Sequence, residues 1–143
     1  LTTQVGLKMR TGGTEAKAFP TSQQVALALT ESRDKQIPIK FTAGLHHPFK
    51  WYDNSLNISV QGFINVFRAG MLAILYHLDL KTIRTILDDS NPDHFQVENN
   101  TMTWKHLKVH SESIRKLRKR FIHSFGSCSF DEPRKDLREL NIL

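Results

Sequence analysis

The chain is 143 residues long, which is enough for one domain that buries about two thirds of the surface its unfolded form exposes. A net charge of +6 favours an anionic partner, and a single cysteine excludes an internal disulfide. That cysteine usage fits a reducing compartment, so a cytoplasmic location is expected, and no residue cluster at ligand spacing implies a metal or a cofactor.

No charged, apolar and small-residue sequence of a secretory signal opens the chain, and Leu1 is expected to be a processed or truncated start. Val5 to Met9 reads as a short strand, and Gly12 and Gly13 after it permit a sharp turn. Thr21 or Ser22 caps a helix to about Lys35, with Val25, Leu27, Ala28 and Leu29 on its inner side. Ile37 to Thr42 is the second strand. Strand, helix and strand over this short span predict a βαβ unit with parallel strands.

Tyr52 to Ser59 reads as a loop. The most apolar window follows it, Val60 to Leu78, but carries Gln61, Asn65 and Arg68, so a buried helix is expected there and not a membrane span. Asp79 caps a further helix that ends at Asn91-Pro92, and a small hairpin turns around Asn99-Asn100. Ser111 starts a helix expected to run through Phe125. Ile114, Leu117, Phe121, Ile122 and Phe125 then share one side, and Arg115, Lys116, Arg118, Lys119 and Arg120 surround it. After the loop "GSCSFDEP", a short helix from Arg134 closes the chain, with Asp131 and Glu132 at its N-terminal cap.

The fold class expected is α/β: the C-terminal portion of a (β/α) barrel, contributing its last two βα units, with a helical extension and a small hairpin. Residues 1–55 hold the two strand–turn units and residues 56–143 the helical extension of the same domain. Two parallel strands cannot close a barrel. A missing N-terminal half or a second chain is therefore expected to cover the sheet edge.

Lysine followed by a glycine turn occurs twice, as Lys8 in "KMRTGG" and Lys40 in "KFTAGL". The C-terminal ends of parallel strands are where ligands bind in α/β sheets, because loops and backbone N–H groups converge there. Arg10, Thr11, Gly12 and Gly13 of the first turn, with Thr42, Ala43, Gly44 and His46 of the second, are the candidate anion-binding residues. The expected ligand is a phosphorylated or carboxylated small molecule. If Lys8 and Lys40 approach each other in a shared desolvated site, each lowers the other's pKa, and an amine poised near neutrality can form a Schiff base. His47 is the candidate general acid or base. Cys128 is expected to be buried or capping. The run "IRKLRKRF" could attract a polyanion, yet its phenylalanines fall on the apolar face, so nucleic acid is not the expected partner. Binding of a polyanion or an assembly partner through residues 111–125 is the alternative function.

The two lysine strands resemble those of the deoxyribose-phosphate aldolase group, in which a strand ending Lys-X-Ser-Thr-Gly precedes a second lysine strand by a similar interval. The resemblance implies a class I lyase in which Lys8 forms the Schiff base and Lys40 tunes it; Arg10 and Leu45 depart from that group's pattern. More broadly, "RTGG", "TAGLHHP", "GFINVF" and "GSCSFDEP" resemble strings in the C-terminal half of an uncharacterised bacterial family of hypothetical proteins, with Gln61 where that family has His. That likeness implies no reaction.

Overall fold

The computed structural model describes residues 5–142, and expectations that touch Leu1 or Leu143 lie outside the described residues. Strands β1 (Leu7–Arg10) and β2 (Ile39–Thr42) pair in parallel as the sequence predicts, with Lys8 opposite Lys40 and Arg10 opposite Thr42. Between them runs helix α1 (Ser22–Asp34), and its start is specified locally. Thr21 Oγ1 accepts the Gln24 N–H at 3.2 Å while Gln24 Oε1 accepts the Thr21 N–H at 2.8 Å, a reciprocal capping box. Val25, Ala26 and Leu29 are buried; Leu27, expected on the same side, is exposed because the helical period turns it outward.

The third strand of the sheet lies where a helix was expected. Helix α4 (Ser111–Arg120) stops at Arg120, and β8 (Ile122–Gly126) pairs in parallel with β2, giving the order β1-β2-β8. Two residues of β2, Ile39 and Phe41, face Ile122 and Phe125, which are three apart. A bulge in β8 thus sends residues at i and i+3 to one side, imitating the spacing of an amphipathic helix. The same segment 56–143, expected as a helical extension, therefore supplies an edge of the main sheet. Among the described residues this sheet stays open and does not close into a barrel.

Two smaller antiparallel sheets complete the strands. β3 (Trp51–Asp53) and β4 (Ile58–Val60) form a hairpin across the stretch read as a loop. Its turn is built by Asp53, whose Oδ1 accepts the Ser55 N–H at 2.8 Å and the Leu56 N–H at 3.2 Å. The hairpin around Asn99-Asn100 is present as β5 (Val97–Glu98) and β6 (Thr101–Trp104), and β7 (Leu107–His110) extends it to three strands.

Helix α2 (Phe63–Leu75) is the centre of the core, with Val66, Ala69, Leu72 and Ala73 fully buried. It packs with α1 and with α3 (Leu80–Asp88), which Asp79 caps through Oδ1 and the Thr82 N–H at 2.7 Å. The closing helix α5 (Asp131–Glu139) begins three residues earlier than expected, and Ser129 Oγ accepts the Glu132 N–H at 3.1 Å at its start. One face of the main sheet, with Ile39, Phe41 and Ile122, lies in the core; the other presents Lys8, Lys40 and His123 along a shallow depression.

Polar groups stitch this core together. Asn65, fully buried on α2, accepts the Lys50 N–H at 2.9 Å and donates to the carbonyls of Ile86 at 2.9 Å and Asp89 at 2.7 Å. Asp89 in turn accepts the indole N–H of buried Trp104 at 2.8 Å and lies 2.8 Å from His94 Nδ1. Burial alone would raise the Asp89 pKa, but the bonds from Trp104 and His94 outweigh it and hold the carboxyl below its ordinary value. A depressed folded-state pKa adds stability above the unfolded value and loses it as pH falls through the folded one. Asp89→Asn is therefore expected to flatten the acid limb of the stability profile below about pH 4. Urea midpoints followed by circular dichroism measure this, and an acid limb of unchanged steepness would refute it.

Candidate functional site

Because β1, β2 and β8 run in parallel, their C-terminal ends open onto one edge of the sheet. β1 runs into Thr11-Gly12-Gly13, β2 into Ala43-Gly44-Leu45-His46-His47, and β8 into Ser127-Cys128-Ser129. The two glycine turns meet there. Thr11 is buried, its N–H donates to the Thr42 carbonyl at 2.9 Å, and its hydroxyl donates to the Ala43 carbonyl.

Backbone contact explains why glycine stands at these positions. A Cβ on Gly12 would lie 2.5 Å from Gly44 Cα, and one on Gly44, where φ is +77°, would lie 2.3 Å from the Thr11 carbonyl oxygen. Ala43 also has positive φ, at 62°, so the chain turns sharply as it leaves β2. Both Gly12 and Gly44 are buried. Among the described residues, the N–H groups of Gly12, Gly13 and Gly44 meet no acceptor. A group of unpaired donors at the end of a parallel sheet is a setting suited to an anion.

Arg10 leans over the first turn. Its Nε donates to the Gly12 carbonyl at 2.7 Å, and its Nη2 would stand 3.5 Å from a Cβ at Gly13. Among the described residues no carboxylate pairs with Arg10, Lys8 or Lys40. Lys8 and Lys40 are neighbours in register, as the Schiff-base expectation requires, but both side chains are exposed on the open face. The shared desolvation that expectation also needs is missing from this arrangement.

The two histidines diverge, and each meets a carboxylate of α5. His46 Nδ1 lies 3.2 Å from Glu132 Oε2 and 3.2 Å from Ser127 Oγ. His47 Nδ1 lies 2.5 Å from Asp136 Oδ2, and its ring meets Trp51 edge-on at 4.5 Å between centroids. Glu132 and Asp136 are one helical turn apart, so α5 is clasped to the second glycine turn at two points. His47 is held between Asp136 and Trp51. Cys128 Sγ lies 3.8 Å from His46 Nε2 and 4.0 Å from Nδ1, beside the ring and off the axis of either nitrogen. Cys128, expected to be buried or capping, is exposed and stands beside the His46 imidazole, whose Nδ1 also faces Glu132 and Ser127.

The sequence reading reached the glycine turns, Arg10, Thr11 and His46 but missed Ser127, Cys128, Glu132 and Asp136. A usable signal was present. Carboxylates spaced i and i+4 on a helix, in a chain with an unexplained His-His pair, can face both rings at once. Among the described residues no three His, Cys, Asp or Glu side chains gather closely enough to hold a metal ion, and no helix is long and apolar enough to cross a membrane. Comparison of the chain with protein-family models, with curated proteins and with solved structures gave no match.

Proposed function

We propose that the protein binds a small phosphorylated or carboxylated molecule at the C-terminal end of the β1-β2-β8 sheet. The observation that carries this reading is the pair of buried glycine turns whose N–H groups lack acceptors beside the uncompensated guanidinium of Arg10. Thr42 and Ala43 shape the turn. His46, oriented by Glu132, supplies a proton donor or acceptor next to the bound anion.

The test is a titration with inorganic phosphate followed by amide nuclear magnetic resonance. Shifts are expected to concentrate on Gly12, Gly13 and Gly44, and Arg10→Ala is expected to weaken them about tenfold, the loss typical of one charge-assisted contact. Shifts confined to α4, or unchanged by Arg10→Ala, would overturn the assignment.

A narrower extension gives the bound molecule a carbonyl and makes Lys8 a Schiff-base nucleophile next to Lys40. Borohydride with a small aldehyde phosphate should then trap an adduct on Lys8 in preference to other exposed lysines, and Lys40→Ala should slow trapping at neutral pH by removing the neighbouring positive charge. Even labelling of surface lysines would refute the extension. The open edges of β1 and β8 are consistent with a larger (β/α) assembly in which further strands from upstream chain or a second molecule complete the sheet.

A second reading rests on α4, where Arg115, Arg118, Lys119 and Arg120 are exposed and meet no carboxylate among the described residues. They form a surface on which a polyanion could lie. Binding of generic DNA that falls steeply with salt would favour it over the small-anion reading.

A further inference from the structure

The least expected side chain in the core is Arg68. It projects from the middle of α2, is 1% exposed, and is among the largest fully buried side chains of the protein. Its Nη1 donates to the carbonyls of Gln96, at 3.3 Å, and Thr103. Nε and Nη2 are buried with no partner, and no carboxylate pairs with the guanidinium among the described residues. Burial pushes its pKa down to about 10, so the group is still a cation at neutral pH. A buried cation facing only carbonyl oxygens carries a large desolvation cost that an anion would relieve.

Arg68 borders a cavity of about 400 Å³, within the range of small-ligand sites. The wall is built from Phe63, Phe67, Met71, Met102, Phe125 and Leu137, and among the described residues it contains no carboxylate. Phe125 stacks on Phe63 with centroids 5.2 Å apart and meets Phe67 edge-on at 5.7 Å, which gives the chamber a rigid aromatic side. Arg118, exposed on α4, is the second charged residue of the lining.

We propose that this cavity binds an amphipathic carboxylate, with its apolar chain among the aromatic and methionine side chains and its two oxygens on Nε and Nη2 of Arg68. Those two nitrogens form one edge of the guanidinium plane, the fork that receives a carboxylate through parallel hydrogen bonds. Both are buried, on a residue that borders the cavity. A carboxylate reaches them when lining side chains move aside, a movement that unbranched methionines such as Met71 and Met102 permit. The apolar lining distinguishes this site from the glycine turns, where a compact hydrophilic anion is expected, and the two assignments stand or fall separately.

The experiment is calorimetric titration of the full chain with decanoate, using decanol as a probe with the same tail and no charge. Decanoate is expected to bind with one-to-one stoichiometry, at least about tenfold tighter than decanol, and to raise the melting temperature. Arg68→Met, checked for native circular dichroism, should lose about tenfold or more in decanoate affinity while keeping that for decanol. Arg118→Gln should leave the preference for decanoate in place. If Arg68→Met does not fold, Phe67→Trp, which narrows the chamber, takes its place and should weaken both probes. Absence of decanoate binding, equal affinity for the two probes, or decanoate affinity unchanged by the substitution that folds would overturn the proposal.

Discussion

Replacing Asn65 by alanine is expected to lower the unfolding free energy by roughly 2 kcal/mol, since it leaves the part-buried Lys50 N–H and Asp89 carbonyl without partners at about 1 kcal/mol each, while the Ile86 carbonyl keeps only the Asp89 N–H at 3.4 Å. The side chain has no solvent exposure, and no water can substitute for it without a cavity being opened. Its amide nitrogen serves the carbonyls of Ile86 and Asp89 at the end of α3, where a helix leaves carbonyls unpaired, and its oxygen takes the Lys50 N–H beyond the His-His turn. Asn65→Asp conserves the shape but turns an acceptor toward both carbonyls, so it is expected to be worse than alanine. Urea denaturation monitored by circular dichroism measures both variants. A loss below about 0.5 kcal/mol for Asn65→Ala, the range of surface substitutions, would show that the neighbouring groups find other partners.

Gly44→Ala is the second large effect, on the order of 3 kcal/mol or more. Two costs combine there: a left-handed backbone at φ +77° and a Cβ placed 2.3 Å from the Thr11 carbonyl oxygen, which is backbone and cannot rotate away. Gly126→Ala provides the control. Nothing lies within 4 Å of a Cβ at Gly126, so that substitution should be neutral or slightly stabilising through its effect on the unfolded chain. Gly44→Ala should also abolish the phosphate-induced amide shifts, because the turn that presents the N–H groups is displaced. A Gly44→Ala variant of wild-type stability would mean that the two turns do not touch in solution.

Much of the α/β framework is written in local signals. Thr21 with Gln24, and Asp79 with Thr82, are side-chain caps that act within one turn of chain, so the starts of α1 and α3 follow from neighbouring residues alone. The parallel pairing of β1 and β2 follows from a strand, helix and strand in succession. What escaped depends on tertiary context. β8 was concealed because a bulge gives Ile122 and Phe125 the spacing of a helix, and a bulge exists only opposite a partner strand. The β3-β4 hairpin was concealed because Trp51-Tyr52-Asp53 is too short to show a period.

The candidate site divides along the same line. Gly12, Gly13, Gly44 and the histidines could be found because glycine after a strand has few uses. Cys128 could not, since its approach to His46 depends on β8 being docked at the end of the sheet. Exposure of Lys8 and Lys40 likewise depends on which face of the sheet α1 and α2 cover.

The position of β2 between β1 and β8 also governs how the protein folds. Its first neighbour is supplied by a nearby segment, whereas its second is separated from it by roughly eighty residues, which include α2, α3 and both small sheets. Loop closure over that distance must precede the reward of pairing, so the β2-β8 ladder is expected to be the high-contact-order step that limits the folding rate. Until it forms, the exposed edge of β2 is a template for pairing between molecules, and aggregation during refolding should compete with folding in proportion to chain concentration.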